Sequence, residues 1–181
     1  DHIGNENYEK AQYELEMGNN NYFRNGRTYE AALLYQLYGQ FYAVQSQYTN
    51  AVPWFEKALA TEKMPRIGAQ EVRFQLAQTY FMIGKYENVI PLLDEFIRVG
   101  ERYKYPVSAR VNLLMSYSHG RLEQYEPSYF HIKQANNKSD KPQTDWIEYA
   151  FSLAMKLENL DDAEDLGTRL LFLEPNKKKY W

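Results

Sequence analysis

The sequence predicts an all-α protein built from a series of similar helical hairpins. Two sets of residues at helical spacing support this prediction, because each set recurs four times along the chain. One set is a triplet whose members follow at steps of four and three residues, and therefore share one helical face. Its copies are Ala51, Phe55, Ala58; Val89, Leu93, Phe96; Ser128, Ile132, Ala135; and Ala163, Gly167, Leu170.

The other set lies upstream of each triplet and consists of two adjacent residues and a third residue three positions later. The third residue precedes its triplet by 9, 9, 11 and 10 residues in the four copies. Each copy is therefore predicted to be two short helices joined by a tight turn, with a small residue in each helix where the backbones approach. The copies are Tyr38, Gly39, Tyr42; Leu76, Ala77, Tyr80; Leu113, Leu114, Tyr117; and Tyr149, Ala150, Leu153.

The first 31 residues do not contain either set. The segment YEKAQYELEMG predicts one helix, with Tyr8, Ala11 and Leu15 on a common face and its end near Gly18. We therefore expect an N-terminal helix and loop over residues 1–31, followed by four repeats at about 32–69, 70–106, 107–142 and 143–181.

These segments resemble the tetratricopeptide repeat (TPR), whose signature is an aromatic residue, Leu-Gly, Tyr, then Ala, Phe, Ala and a closing Pro. The matching stretches are QLYGQFY with NAVPWFEKALATEKMP, RFQLAQTYFMIGKYENVIPLLDEF, NLLMSY with EPSYFHIKQA, and DWIEYAFSLAMKL with DDAEDLGTRLLFLEP. The resemblance implies an α-solenoid, a right-handed superhelix of stacked hairpins. Trp181 follows Pro175 where a fifth copy would open, so the natural chain is expected to continue.

The composition argues against catalysis and against nucleic acid as the main partner. The chain has no cysteine, its formal net charge is -3, and its Lys and Arg residues are scattered. Its three histidines are His2, His119 and His131, and none belongs to a Glu-x-x-His or His-Glu-x-x-His motif. Nucleophile-elbow and phosphate-binding glycine motifs are also missing. We therefore expect no enzyme, no metal and no cofactor.

The resemblance implies that the first helix of each hairpin lines a concave groove, where members of this family bind peptides. The groove positions predicted from the repeats are apolar or carry amides, and none is lysine or arginine, so the Lys-Asn-Asn-Lys-Arg clamp for terminal carboxylates is missing. An alternative for Phe74, Phe81 and Phe151 is that they pack between neighbouring repeats. The predicted groove residues are Gln36, Gln40, Phe74, Gln78, Phe81, Asn112, Met115, His119, Ile147 and Phe151.

Four stretches resemble, more narrowly, the TPR proteins that accompany TonB-type energy transduction systems in Gram-negative bacteria. They are YEAALLYQLYGQFY, FEKAL, KPQTDW and EPNKKKYW. This resemblance implies a periplasmic scaffold for iron-chelate uptake whose partners include TonB-complex components. The alternative is a regulatory or sensor module that binds a peptide or small ligand in its groove, with the cytoplasm as the alternative compartment. No stretch has the roughly 20 apolar residues of a membrane span.

Overall fold

The computed structural model describes residues 28–139, 141 and 143–173, together with Lys10 and Tyr13. These residues form α-helices joined by short connections and contain no strand, which confirms the all-α prediction. The N-terminal helix expected over residues 8–18 lies outside the described residues, except for Lys10 and Tyr13. The helices are α1 (Tyr29–Val44), α2 (Tyr48–Ala60), α3 (Arg66–Met82), α4 (Tyr86–Tyr103), α5 (Ala109–Arg121), α6 (Tyr125–Asn137), α7 (Thr144–Lys156) and α8 (Leu160–Leu173).

The chain divides into two compact units, Asp1–Lys85 and Tyr86–Trp181. In the first unit, α2 packs against both α1 and α3. In the second unit, α5 packs against α4 and α6, α6 packs against α7, and α7 packs against α8. The helix α1 begins three residues before the first predicted repeat, and the four repeat boundaries stay a prediction.

The turns after α1, α3, α5 and α7 share one backbone geometry. The residue after each helix C-cap is in the left-handed region, with φ of 59° at Ser46, 75° at Gly84, 59° at Glu123 and 56° at Glu158. In each turn the next N–H donates to a carbonyl five residues back, as Gln47 N donates to Tyr42 O at 2.9 Å. This hydrogen bond satisfies a carbonyl that the helix end would leave unpaired. The turn geometry therefore persists although only one of the four residues is glycine.

This constant turn corrects the predicted register of the third and fourth repeats. The C-caps Gln45, Ile83, Leu122 and Leu157 each lie six residues before the first member of a triplet. The first-helix motif must keep the same distance from the turn, so in the third repeat it is Met115, Ser116 and His119. The predicted Leu113, Leu114, Tyr117 was wrong by two residues, which agrees with burial of Met115 and Ser116 and partial exposure of Leu113.

In the fourth repeat the same distance gives Ala150, Phe151 and Ala154, one residue after the predicted Tyr149, Ala150 and Leu153. Ala154 is fully buried and Ala150 is 1% exposed. The signal that identifies this register is the turn length, because residue type alone allowed either alignment.

Small and large residues complement each other where the helices of a hairpin cross. In the first unit a Cβ added to Gly39 would lie 2.6 Å from the Phe55 ring, so the glycine leaves space for the phenylalanine. In the second unit the pair is reversed, because Phe151 lies on α7 and Gly167 on α8. A Cβ on Gly167 would lie 3.3 Å from Phe151 Cε2. Both crossings thus combine one glycine with one phenylalanine.

The crossing of α5 and α6 uses hydrogen bonds between two buried serines. Ser116 Oγ donates to Ser128 O at 2.7 Å, and Ser128 Oγ donates to Ser116 O at 2.8 Å. Tyr149 of α7 joins this network, with its Oη 3.0 Å from Ser128 Oγ. A Cβ on Gly120 would lie 2.0 Å from Tyr149 Oη, so a glycine is needed there for the tyrosine to reach the serines.

We predict that Gly39→Ala lowers the free energy of unfolding by about 1–3 kcal/mol, because the new methyl group overpacks against Phe55. Adding Phe55→Leu should make the combined cost smaller than the sum of the two single costs. Urea denaturation of the four proteins measures this coupling.

The matched control is Gly68→Ala in α3, where the new Cβ meets only Met64 Cε at 3.8 Å. This substitution should stabilise the protein by about 1 kcal/mol, since alanine has the higher helix propensity. Equal stability of Gly39→Ala and Gly68→Ala would contradict the packing we describe.

Candidate partner-binding surface

Helix α1 carries an exposed apolar stripe. Its only charged residue is Glu30, in the first turn. Leu33, Leu37 and Val44 share one helical face and are 37%, 51% and 67% exposed. Gln40 lies on the same face and is half-buried. A helix with almost no charge is usually covered on all sides, so this stripe is unusual for a surface exposed to solvent.

Helix α3 continues the uncharged surface beside α1. No charged residue lies between Phe74 and Met82, and Met82 is 56% exposed. Phe74 and Phe81 are half-buried and Gln78 is exposed. Gln36 Nε2 of α1 donates to Gln75 Oε1 of α3 at 3.3 Å and joins the two helices. We call this surface the α1/α3 face, formed by Leu33, Leu37, Gln40 and Val44 with Phe74, Gln78, Phe81 and Met82.

The α1/α3 face contains four of the five groove residues predicted for this part of the chain: Gln40, Phe74, Gln78 and Phe81. The fifth, Gln36, is buried, and its side chain bonds to Gln75 between the two helices. The prediction missed Leu33, Leu37, Val44 and Met82, which contribute most of the exposed apolar surface. For the three residues of α1, the sequence signal was that this helix contains only one charged residue. Binding of a partner by these residues stays a prediction.

The predicted groove residues of the second unit occupy different positions. Met115 and Ile147 are 1% and 0% exposed, and Asn112 and His119 are also buried. Errors of register of two residues in the third repeat and one residue in the fourth moved the prediction from outward positions to core positions. We correct these assignments: Met115 and Ile147 fill the core and present no surface to a partner.

Phe151 also packs inside its own hairpin. Its ring lies against Gly167 and is half-buried beside the core that contains Ala150, Leu153 and Leu170. Phe151 therefore packs between the two helices of one hairpin, whereas the alternative predicted from the sequence placed it between neighbouring repeats. The register set by the turns instead directs Leu113, Tyr117, Glu148, Ser152 and Met155 outward, each of them half-buried or exposed.

Two tyrosines link α5 and α7 in the second unit. The rings of Tyr117 and Tyr149 meet edge to face, with centroids 5.1 Å apart. Burial, Asp145 and Tyr149 raise the pKa of the Tyr117 hydroxyl, so this group stays protonated at neutral pH. The outward positions of α5 and α7 are more polar than the α1/α3 face, since they include Glu148 and Ser152.

His119 and His131 form a polar cluster between α5 and α6. Their rings are parallel within 5°, with centroids 5.6 Å apart. His119 Nδ1 lies 2.6 Å from Gln124 Oε1, and His131 Nδ1 lies 3.3 Å from Asn112 Oδ1. Asn112 Nδ2 is buried and has no hydrogen-bond partner among the described residues. Burial, followed by the nearby His119 and Lys138, lowers the pKa of His131 to about 4.

The described residues hold no group of three or more His, Cys, Asp or Glu side chains arranged to bind a metal ion. In the same part of the chain, no helix combines the length and the apolar character that a membrane span requires.

No family model matches the chain, and no curated protein sequence matches it. Solved structures do match. YrrB, described as a TPR protein with an unusual peptide-binding site, is 14% identical, with a TM-score of 0.72 over 95% of this chain and 82% of that chain. A set of nearly identical TPR-like repeats from Podosopora anserina is 12% identical, with a TM-score of 0.72 over 97% and 88% of the two chains.

MamA from Desulfovibrio magneticus RS-1 is a further match at 17% identity, with a TM-score of 0.64 over 81% of this chain and 77% of that chain. At this level of identity the matches describe the fold. The chain therefore has the α-solenoid fold of TPR-like helical hairpins, as the sequence predicted.

We predict that the protein loses stability as the pH falls from about 6.5 towards 4. In this range the unfolded chain binds a proton at His131 that the folded chain excludes, because the pKa of this residue is about 4 when folded and near 6.5 when unfolded. Thermal melts at pH 7.5 and pH 5 should show a decrease in Tm that is smaller for His131→Gln. An equal decrease for both proteins would show that His131 is not the responsible group.

Proposed function

We propose that this chain is a non-enzymatic scaffold that binds a segment of another protein through the α1/α3 face. The observation that carries the proposal is the combination of exposed leucine, valine and methionine side chains with a nearly charge-free surface. Protein interfaces differ from other surfaces by depletion of charged residues and enrichment of aromatic residues and methionine at their centre. The α1/α3 face has this composition, with Phe74 and Phe81 as its aromatic residues.

The same composition suggests the chemistry of the partner. A binding segment would place apolar side chains against Leu37 and Val44. Amides such as Gln78 would donate hydrogen bonds to the carbonyl groups of its backbone or accept them from its N–H groups. A segment that depends on several acidic side chains would find no lysine or arginine on this face. We therefore expect an apolar helix or extended peptide with few charges.

Selection of peptides from a random library against the immobilised full chain tests this proposal. Selected peptides should be apolar, and Val44→Glu should weaken their binding at least tenfold, because a buried charge would then oppose contact. The matched control is Leu160→Glu, since Leu160 is also 67% exposed but lies at the start of α8. Circular dichroism should show that both variants keep their helical content.

Peptides that bind Val44→Glu as tightly as the unmodified protein, but lose affinity for Leu160→Glu, would contradict the proposal. A library that returns only peptides insensitive to both substitutions would place the binding surface elsewhere.

As a narrower form of the proposal, we infer that the scaffold acts in the periplasm beside a TonB-type system for iron-chelate uptake. The support is the resemblance of YEAALLYQLYGQFY, FEKAL, KPQTDW and EPNKKKYW to TPR proteins that accompany such systems. Fractionation of the native bacterium should then recover the protein with periplasmic markers. Recovery with cytosolic markers would contradict this narrower form and leave the scaffold proposal unchanged.

A further inference from the structure

The second unit contains a cleft between the end of α4 and the start of α5. Its volume is about 630 Å³, within the range of about 300–1,000 Å³ that small-molecule sites occupy. Ile97, Pro106 and Val107 provide an apolar wall. This cleft belongs to the second unit alone and shares no residue with the α1/α3 face.

The backbone of the α4–α5 connection shapes this cleft. A Cβ on Gly100 would lie 2.8 Å from Val107 Cγ2 and 3.2 Å from Tyr105 O, so only glycine allows the connection to lie so close to α4. Lys104 turns the chain in the left-handed conformation, with φ of 57°. Tyr105 N then donates to Gly100 O at 2.8 Å. The small size of Gly100 and this hydrogen bond therefore hold the connection close to the end of α4.

Positive charge borders the apolar wall. Lys104 and Lys138 both line the cleft, and within the described residues neither forms an ion pair with a carboxylate. Ser108, the N-cap of α5, also lines it, and its hydroxyl does not cap the helix. The first N–H groups of a helix lack internal partners and carry partial positive charge, which adds to the two ammonium groups. Glu101 is the one carboxylate in the lining.

We propose that this cleft binds a small carboxylate with a short hydrocarbon body. The carboxylate would lie near Lys104, Lys138 and the amino end of α5, and the hydrocarbon would cover the wall of Ile97, Pro106 and Val107. A ligand of this kind uses both the apolar wall and the positive charge of the cleft. An inorganic anion makes no use of the apolar wall, and a neutral hydrocarbon makes no use of the lysines.

Titration of the 15N-labelled full chain with hexanoate tests the proposal by nuclear magnetic resonance. Hexanoate should shift the amide signals of Val107–Val111 in a saturable manner, with a dissociation constant on the order of 1 mM for so small a ligand. Hexanol, which keeps the hydrocarbon and lacks the charge, should bind at least tenfold more weakly. Inorganic phosphate should also bind at least tenfold more weakly, because it lacks the hydrocarbon.

The variant Lys104→Asn with Lys138→Gln removes both charges, and asparagine tolerates the left-handed conformation at position 104. It should weaken hexanoate binding at least tenfold. The control Lys85→Gln, at an exposed lysine of the first unit, should bind as the unmodified protein does. Equal shifts with hexanol or phosphate, or unchanged binding by the double variant, would overturn the proposal.

Discussion

The left-handed residue in the turns after α1, α5 and α7 is the constraint on which these three hairpins depend. It reverses the chain within three residues and so fixes which residue of the first helix faces which residue of the second. Once this register is set, the space at each crossing must be shared between the two helices. Gly39 with Phe55, Ser116 with Ser128, and Phe151 with Gly167 are three ways of sharing it. The three hairpins therefore have one register but fill their crossings with different pairs of side chains.

Much of this fold can be predicted from the sequence, because amphipathic spacing and turn signals are local properties. The triplet beginning at Ala51 and its three later copies identify the second helices, and ten of the twelve triplet residues are buried. The first helices of the third and fourth repeats are harder. Leu113 and Leu114 match the repeat signature by residue type. Ser116 does not match it, and the burial of this polar residue is explained only by its hydrogen bonds to α6.

The candidate surface was also predicted only in part from the sequence. Gln40, Phe74, Gln78 and Phe81 lie on the α1/α3 face, where the motif register was right, and their binding of a partner stays a prediction. Leu33, Leu37 and Val44 were missed because apolar residues on a helix are ordinarily assigned to the core. Met115 and Ile147 are core residues that were assigned outward because the register was wrong. Exposure of an apolar residue depends on which neighbours cover it, and a single sequence does not contain this information.

The reversed pair Phe151 and Gly167 has a consequence for the exchange of parts between repeats. If α1 replaced α7 in a chimera, Gly39 would face Gly167 and leave a void the size of a benzyl group. In the reciprocal chimera, Phe151 would face Phe55 and the rings would collide. These two hairpins thus have the same turn geometry but are not interchangeable, because the first helix of each fits only its own second helix. This mismatch would discourage mispairing between these two hairpins while the chain folds.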